Sequence, residues 1–174
     1  MKITDEPTDS IDRIRAQWRR ELPGLETSPM ATIGRILRMQ FLAEPAIRQN
    51  LRQHGLDPGG FDVLATLRRS GPPYKLTPTQ LYRELVLTSG AMTHRMDMLE
   101  RAGLIERTAD PADRRGMLAG LTRAGRSIVE QAMQAHVELE AELAGGLSKS
   151  EQEQLARLLK KLLLNLEVQS AGRD

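Results

Sequence analysis

Apolar residues recur at helical spacing through most of the chain, and turn residues mark the interruptions. Ile11, Ile14, Trp18 and Leu22 form one stripe at steps of three, four and four, which predicts a helix from Asp9 or Ser10 to just before Pro23-Gly24. Its other faces carry Arg13, Arg15, Arg19 and Arg20, so this helix must pack on the body of the protein or on a partner subunit. Ser28-Pro29 supplies a cap and a first-turn proline for a second helix, which runs through Ile33, Leu37 and Phe41 towards His54, kinked at Pro45 and stopped by Gly55. Asp57-Pro58 starts a third, where Phe61, Val63, Leu64, Ala65 and Leu67 make a broad apolar side and Asp62 falls on the more polar one. Gly71-Pro72-Pro73 ends it. Further on, Thr122 caps a long helix with Ile128, Ala132, Ala135, Leu139 and Leu143 as its stripe, broken by Gly145-Gly146. Ser148 with Glu151 is a capping box for a last helix carrying Leu155, Leu158, Leu159, Leu162 and Leu166.

The stretch from Leu76 to Thr122 has a different grammar. Thr77, Pro78 and Gln80 offer a cap, a first-turn proline and a capping box for a short helix. VLTSG is a turn, with Thr88 or Ser89 able to cap the next helix, which Gly103 ends. Met92, Met96 and Leu99 share one face of that helix; Gly90, His94, Asp97 and Arg101 lie opposite, with Thr93 beside them. Ile105 to Ala109 and Met117 to Leu121 read as strands, and DPADRRG between them is turn chemistry. Helix, turn, helix and an arginine-tipped hairpin make a winged helix-turn-helix; a generic three-helix bundle with a solvated loop is the plainer alternative.

The expected fold is therefore mainly α with a small β-hairpin wing. A disordered N-terminus occupies 1–8, an added helix and a dimerisation helix 9–56, and the winged helix-turn-helix 57–122. C-terminal dimerisation helices follow at 123–168, with a tail at 169–174. The continuous leucine stripe of the last helix needs a large apolar partner. A second copy supplies one, and a two-fold protein also matches a palindromic DNA site. The alternative is a hairpin with the helix at 122–144.

Composition changes this picture little. Of 174 residues 40% are hydrophobic, yet there are only one Trp, two Tyr and two Phe, which suits a helical core. With no cysteine, disulfides and thiolate chemistry are excluded. The acidic, polar N-terminus MKITDEPTDS is no signal peptide and no apolar run is long enough to span a membrane, so a cytoplasmic protein is expected. The net charge of +2 is small for a nucleic-acid binder, but it is unevenly spread. Residues 60–126 carry 11 Lys and Arg against 7 Asp and Glu, whereas residues 127–174 carry 5 against 8. The positive end coincides with the winged segment.

No chemistry of an enzyme is present. His54, His94 and His136 are far apart and share no metal or catalytic spacing, and no phosphate loop or nucleophile elbow occurs, so neither cofactor nor metal is expected. Ser89, Thr93 and His94 are candidates for contact with base edges or phosphates. Arg114 and Arg115 reach for the minor groove or flanking phosphates, with Asp113 beside them to orient an arginine. Arg68, Arg69 and Lys75 add potential backbone contacts. Arg95 lies about 60° from the core direction of its helix, where a partly buried guanidinium needs a carboxylate or an anionic ligand.

LTSGAMTHRMDMLERAGLIERTADPADRRGMLAGLT resembles the signature of the MarR (multiple-antibiotic-resistance regulator) family, in its capped recognition helix, LERAGLIER junction, DPADRR wing and closing LT. The resemblance implies a homodimeric bacterial repressor or activator whose affinity for DNA is changed by a small molecule. Gly120 departs from the pattern, since a β-branched residue is commoner there, and it weakens the expected pairing of the second wing strand. Trp18, Asp62, Arg95 and Arg107 together resemble the urate-responsive branch of the family, which has an added N-terminal helix with a tryptophan. That branch also has an aspartate on the helix before the motif and arginines on the recognition helix and at the wing base. The resemblance implies that a planar anion is walled by Trp18, pairs with Arg95 and Arg107, repels Asp62, and so tilts the recognition helix. A regulator answering another phenolic or carboxylic acid, and a ligand-free winged-helix architectural or interaction module, are the alternatives.

If the wing tip sits on DNA, replacing Arg115 by Gln lowers the slope of log affinity against log salt by about one, the share of a single phosphate contact. An unchanged slope across a salt titration would take the wing tip off the DNA.

Overall fold

The computed structural model describes residues 7–85 and 92–172, the side chains of Arg114, Arg115 and Ala171 apart. The chain divides into two compact units, residues 1–49 and 50–174. Among the described residues, no helix is long and apolar enough to cross a membrane.

In the first unit α1 (Ser10–Glu21) starts at Asp9, whose carboxylate accepts the amides of Ile11 at 2.8 Å and Asp12 at 2.9 Å. Arg35 of α2 (Ser28–Arg52) pairs with Asp9 at 2.7 Å and Asp12 at 2.8 Å, fixing α1 to α2 beside the capped end. Ile11 is buried against Gly34, where a Cβ would come within 3.3 Å of its methyl groups. The helix α2 runs unbroken through Pro45. The proline removes one amide from the helical ladder, and the turns on either side carry the helix past it.

The second unit opens with the last turn of α2 and continues with α3 (Pro58–Arg69), β1 (Lys75–Leu76) and α4 (Pro78–Glu84). After these come α5 (Met92–Arg101), β2 (Ile105–Asp110), β3 (Asp113–Leu121), α6 (Arg123–Leu143) and α7 (Lys149–Ala171). The core is α3. Every residue from Gly59 to Leu67 is buried, with Val63, Leu64 and Leu67 wholly so, because α4, α5, α6 and β3 all pack on it. Leu81 of α4, Met96 and Leu99 of α5, and Val129 and Ala132 of α6 are buried around it. The expected polar side of α3 therefore does not exist, and Asp62 is only 9% exposed.

The sheet is antiparallel in the order β1-β3-β2. Strand β1 is an addition to the expected hairpin. It reaches β3 because Gly120 stands opposite Lys75, and a Cβ there would lie 2.8 Å from the Lys75 side chain. Gly120 thus admits a third strand. The wing strands also run further than the sequence pattern indicates. Ala112 N–H bonds the Asp110 carboxylate at 2.8 Å, so the turn is confined to Pro111 and Ala112, and β3 already begins at Asp113. At the other end Gly125 of α6 lies against the Leu104 carbonyl group, with room for no side chain.

The final helix α7 starts with the Ser148–Glu151 capping box and continues to Ala171, so 169–171 is helix and not tail. No proline interrupts it before Gly172. Its leucines stay exposed in the single chain, Leu158, Leu163 and Leu166 at 56% each.

Truncating Leu64, which is 0% exposed at the centre of α3, to alanine costs roughly 2–5 kcal/mol of stability by urea unfolding. A loss below about 1 kcal/mol, the scale of an ordinary surface change, would remove α3 from the centre of the core.

Candidate nucleic-acid interface and ligand cavity

The helix α4 begins at a complete capping box. Gln80 N–H bonds the Thr77 hydroxyl at 3.1 Å, and Thr77 N–H bonds the Gln80 side chain at 2.9 Å. The turn that follows it, with Thr88 and Ser89, lies outside the described residues. On α5, Thr93, His94 and Arg101 are exposed and Met96 and Leu99 buried, the two faces that the sequence pattern separates. Gly103, at φ +69°, ends the helix in the left-handed conformation that glycine adopts without strain. The backbone of β3 passes through Arg114 and Arg115, whose side chains lie outside the described ones; Asp113 is exposed beside them at the tip.

Several basic residues near this surface have partners within the fold. Arg107 on β2 donates to Asp97 at 2.5 Å and pairs with Glu100 at 3.3 Å, both on α5. Lys75 pairs with Glu106 at 3.1 Å. Arg69 donates to the Thr66 hydroxyl at 2.9 Å and to the Glu84 carbonyl. Arg68 and Arg126 stack on the ring of Tyr74 at 5.1 and 4.9 Å and share the Glu130 carboxylate at 2.7 and 3.0 Å. Arg68, Arg69 and Lys75, expected as phosphate contacts, are thus held by internal acceptors. The Arg126 guanidinium, and after it that of Arg68, holds the Glu130 carboxyl below its ordinary value of 4.5.

Beside α5 lies a cavity of about 240 Å³. Leu56, Met98, Leu99 and Leu104 give it an apolar wall, and Asp57, His94 and Arg95 a polar one. The Arg95 side chain lies over the first turn of α3, where a Cβ on Gly59 would come within 2.6 Å of its Cζ. Glycine at 59 is what lets the guanidinium rest there. Asp57, which shares that wall, also caps α3 by accepting Gly60 N–H at 2.7 Å. Of the four residues of the urate-type set, Arg95 alone lines this cavity. Asp62 is buried in α3, Arg107 sits at the wing root against its two carboxylates, and Trp18 belongs to the first unit, with 43% of its surface exposed. The role of His94 in a cavity wall, as well as on the outer face of α5, was missed in the sequence, where helical phase shows only which side of one helix a residue takes.

A sequence model of the MarR family matches residues 54–116, from the end of α2 to the wing. The HTH-type transcriptional regulator PecS of Dickeya dadantii is 35% identical over 149 residues, covering 86% of this chain and 90% of that protein. The chain belongs to the MarR family. Its curated relatives are transcriptional regulators, and the fold is the winged-helix fold of solved MarR proteins. A mutant of E. coli MarR complexed with operator DNA aligns with a TM-score of 0.66 at 29% identity, over 84% of this chain and 97% of that one. BpsR of Bordetella bronchiseptica, described with regulation of its DNA binding by 6-hydroxynicotinic acid, aligns with a TM-score of 0.65 at 26% identity, over 76% and 94%. This MarR chain is accordingly a DNA-binding transcriptional regulator by family.

The Tyr74 cluster predicts an acid-sensitive contribution to stability. A carboxyl lowered by folding stabilises the fold above its ordinary value of 4.5, and that contribution is lost as pH falls through the lowered value. The gap in unfolding midpoint between wild type and Glu130→Gln should therefore be open at neutral pH and close in acid; a gap that persists unchanged at acid pH would contradict this.

Proposed function

We propose that this chain represses transcription as a homodimer on a palindromic operator and is released by a small planar anion, urate being the first choice. The observation that carries the ligand reading is the cavity beside α5. It combines an apolar wall with the Arg95 guanidinium and the His94 ring, the combination that a flat anionic heterocycle needs. In this reading α5 is the recognition helix. Ser89, Thr93 and His94 meet the groove, and Arg114 and Arg115, oriented by Asp113, meet the flanking phosphates. Arg95 couples the two sites, because it springs from α5 and rests on α3 at Gly59. An anion that draws the guanidinium into the cavity acts on the helix that carries it. Asp62, buried one turn along α3 from Gly59, sets the electrostatic background against which that anion binds. Release follows only if the anion binds the DNA-incompetent form better.

The homodimer is supported by the exposed leucine face of α7, which runs from Leu155 to Leu166 and continues in Val168. Apolar surface of that extent marks an interface. A second reading, a different aromatic acid in the same cavity, is favoured by the likeness to BpsR, whose DNA binding is described as regulated by 6-hydroxynicotinic acid.

The test is calorimetric titration of urate into the whole protein, with Asp62→Asn and Arg95→Asn alongside. Saturable binding weakened in both folded variants is the expected result. Equal urate affinity in all three would sink the site. No heat with urate but saturation with 6-hydroxynicotinate would keep the cavity and replace the ligand.

A further inference from the structure

We propose that Arg107 is a positioning residue for DNA binding, which acts by neutralising Asp97 and Glu100 on α5 and touches neither DNA nor effector. This rests on the reading that α5 and the wing meet DNA.

Arg107 is the third residue of β2, paired with Ala119 on β3, so its backbone is fixed in the sheet. Its Nη2 meets Asp97 Oδ1 at 2.5 Å and its Nη1 meets Glu100 Oε2 at 3.3 Å. Its Nε is buried and has no hydrogen-bond partner among the described residues. Among the described residues, the two carboxylates are the side chains that orient the guanidinium. They stand three residues apart on one flank of α5, where like charges repel. Asp97 is also on the side of the helix that carries His94 and Arg101. Left bare, two carboxylates at that place would meet the phosphate backbone with the wrong sign, over distances that salt screens only partly. One cation from the wing root cancels much of that field and ties the wing to the helix at a single point. The planar fork of arginine spans both acceptors, which an ammonium point charge does less well.

The experiment measures anisotropy of the whole protein on a mixed-sequence DNA duplex of about 30 base pairs, roughly three helical turns. It is run over a range of salt concentrations, with melting curves for every variant. Arg107→Gln should bind several-fold more weakly with an unchanged salt slope. Arg107→Lys should recover part of the affinity. The triple variant Arg107→Gln, Asp97→Asn, Glu100→Gln should recover most of it, and it keeps the test open if the single variant folds poorly. A salt slope lowered by about one in Arg107→Gln would mean that Arg107 touches a phosphate itself and would overturn the proposal. So would wild-type affinity in Arg107→Gln, or a folded triple variant as weak as the single one. Urate titrated into Arg107→Gln separates the effector role: if the wild type binds urate and this variant does not, Arg107 is a ligand residue. A wild-type protein that ignores the duplex would overturn the reading of α5 as well.

Discussion

Everything in the second unit depends on a helix that has no solvent face. Ordinary helices bury a stripe and leave the rest to water; α3 buries its whole circumference from Gly59 to Leu67. It can do so only if four elements close on it at once, and the rest of the unit is the means of closing them. This explains why its sequence from Gly59 to Leu67 is mostly apolar, and why its one carboxylate, Asp62, is drawn inside with it. It also explains the first of the two glycines in its first turn. At Gly59 the neighbour that comes closest is the side chain of Arg95 from α5, whereas a Cβ at Gly60 would make only ordinary contacts, with Asp57 and Leu99 at 3.5 Å. The approach of Arg95 on α5 to α3 is set by what position 59 lacks.

Within each unit the charged residues are arranged in small sets. Arg35 serves Asp9 and Asp12, Arg107 serves Asp97 and Glu100, and Glu130 serves Arg68 and Arg126. Each set joins two elements that are distant in sequence or differ in type. Partly exposed ion pairs of this kind contribute little each to stability, and their value lies in direction: each holds two elements of one unit together at a defined place. Near the surface read as facing DNA, Arg68, Arg69, Lys75 and Arg107 already have acceptors inside the fold.

Sequence reading reached the local events and missed the tertiary ones. The capping pairs at Thr77–Gln80 and Ser148–Glu151, and the cap at Asp57, are formed between residues three apart, so the chain order contains them. The two faces of α5 were equally readable from phase. Strand β1 was not, because two residues have no periodicity and its place depends on a glycine some 45 positions later, at 120. Nor were the partners of Arg107 or of Arg68, since the latter meets a carboxylate 62 residues away. Asp62 shows the limit most clearly: by pattern it belongs to a polar side, and only the closure of α4, α5, α6 and β3 removes that side.

Thr122 illustrates a different kind of consequence. Its hydroxyl donates to the Gly103 carbonyl at 2.7 Å and accepts Gly125 N–H at 3.0 Å, while its amide bonds the Leu104 carbonyl at 3.1 Å. The end of α5, the end of β3 and the start of α6 thus meet on one residue, and the Gly125 contact below it leaves no slack. At the opposite end of the same two strands, Pro111 and Ala112 are exposed. Insertions and deletions are tolerated where backbone is exposed and lightly bonded. The wing can therefore gain or lose length at its tip over evolutionary time while its root is held to one spacing, and a regulator of this architecture can change the length of its hairpin without rebuilding its frame.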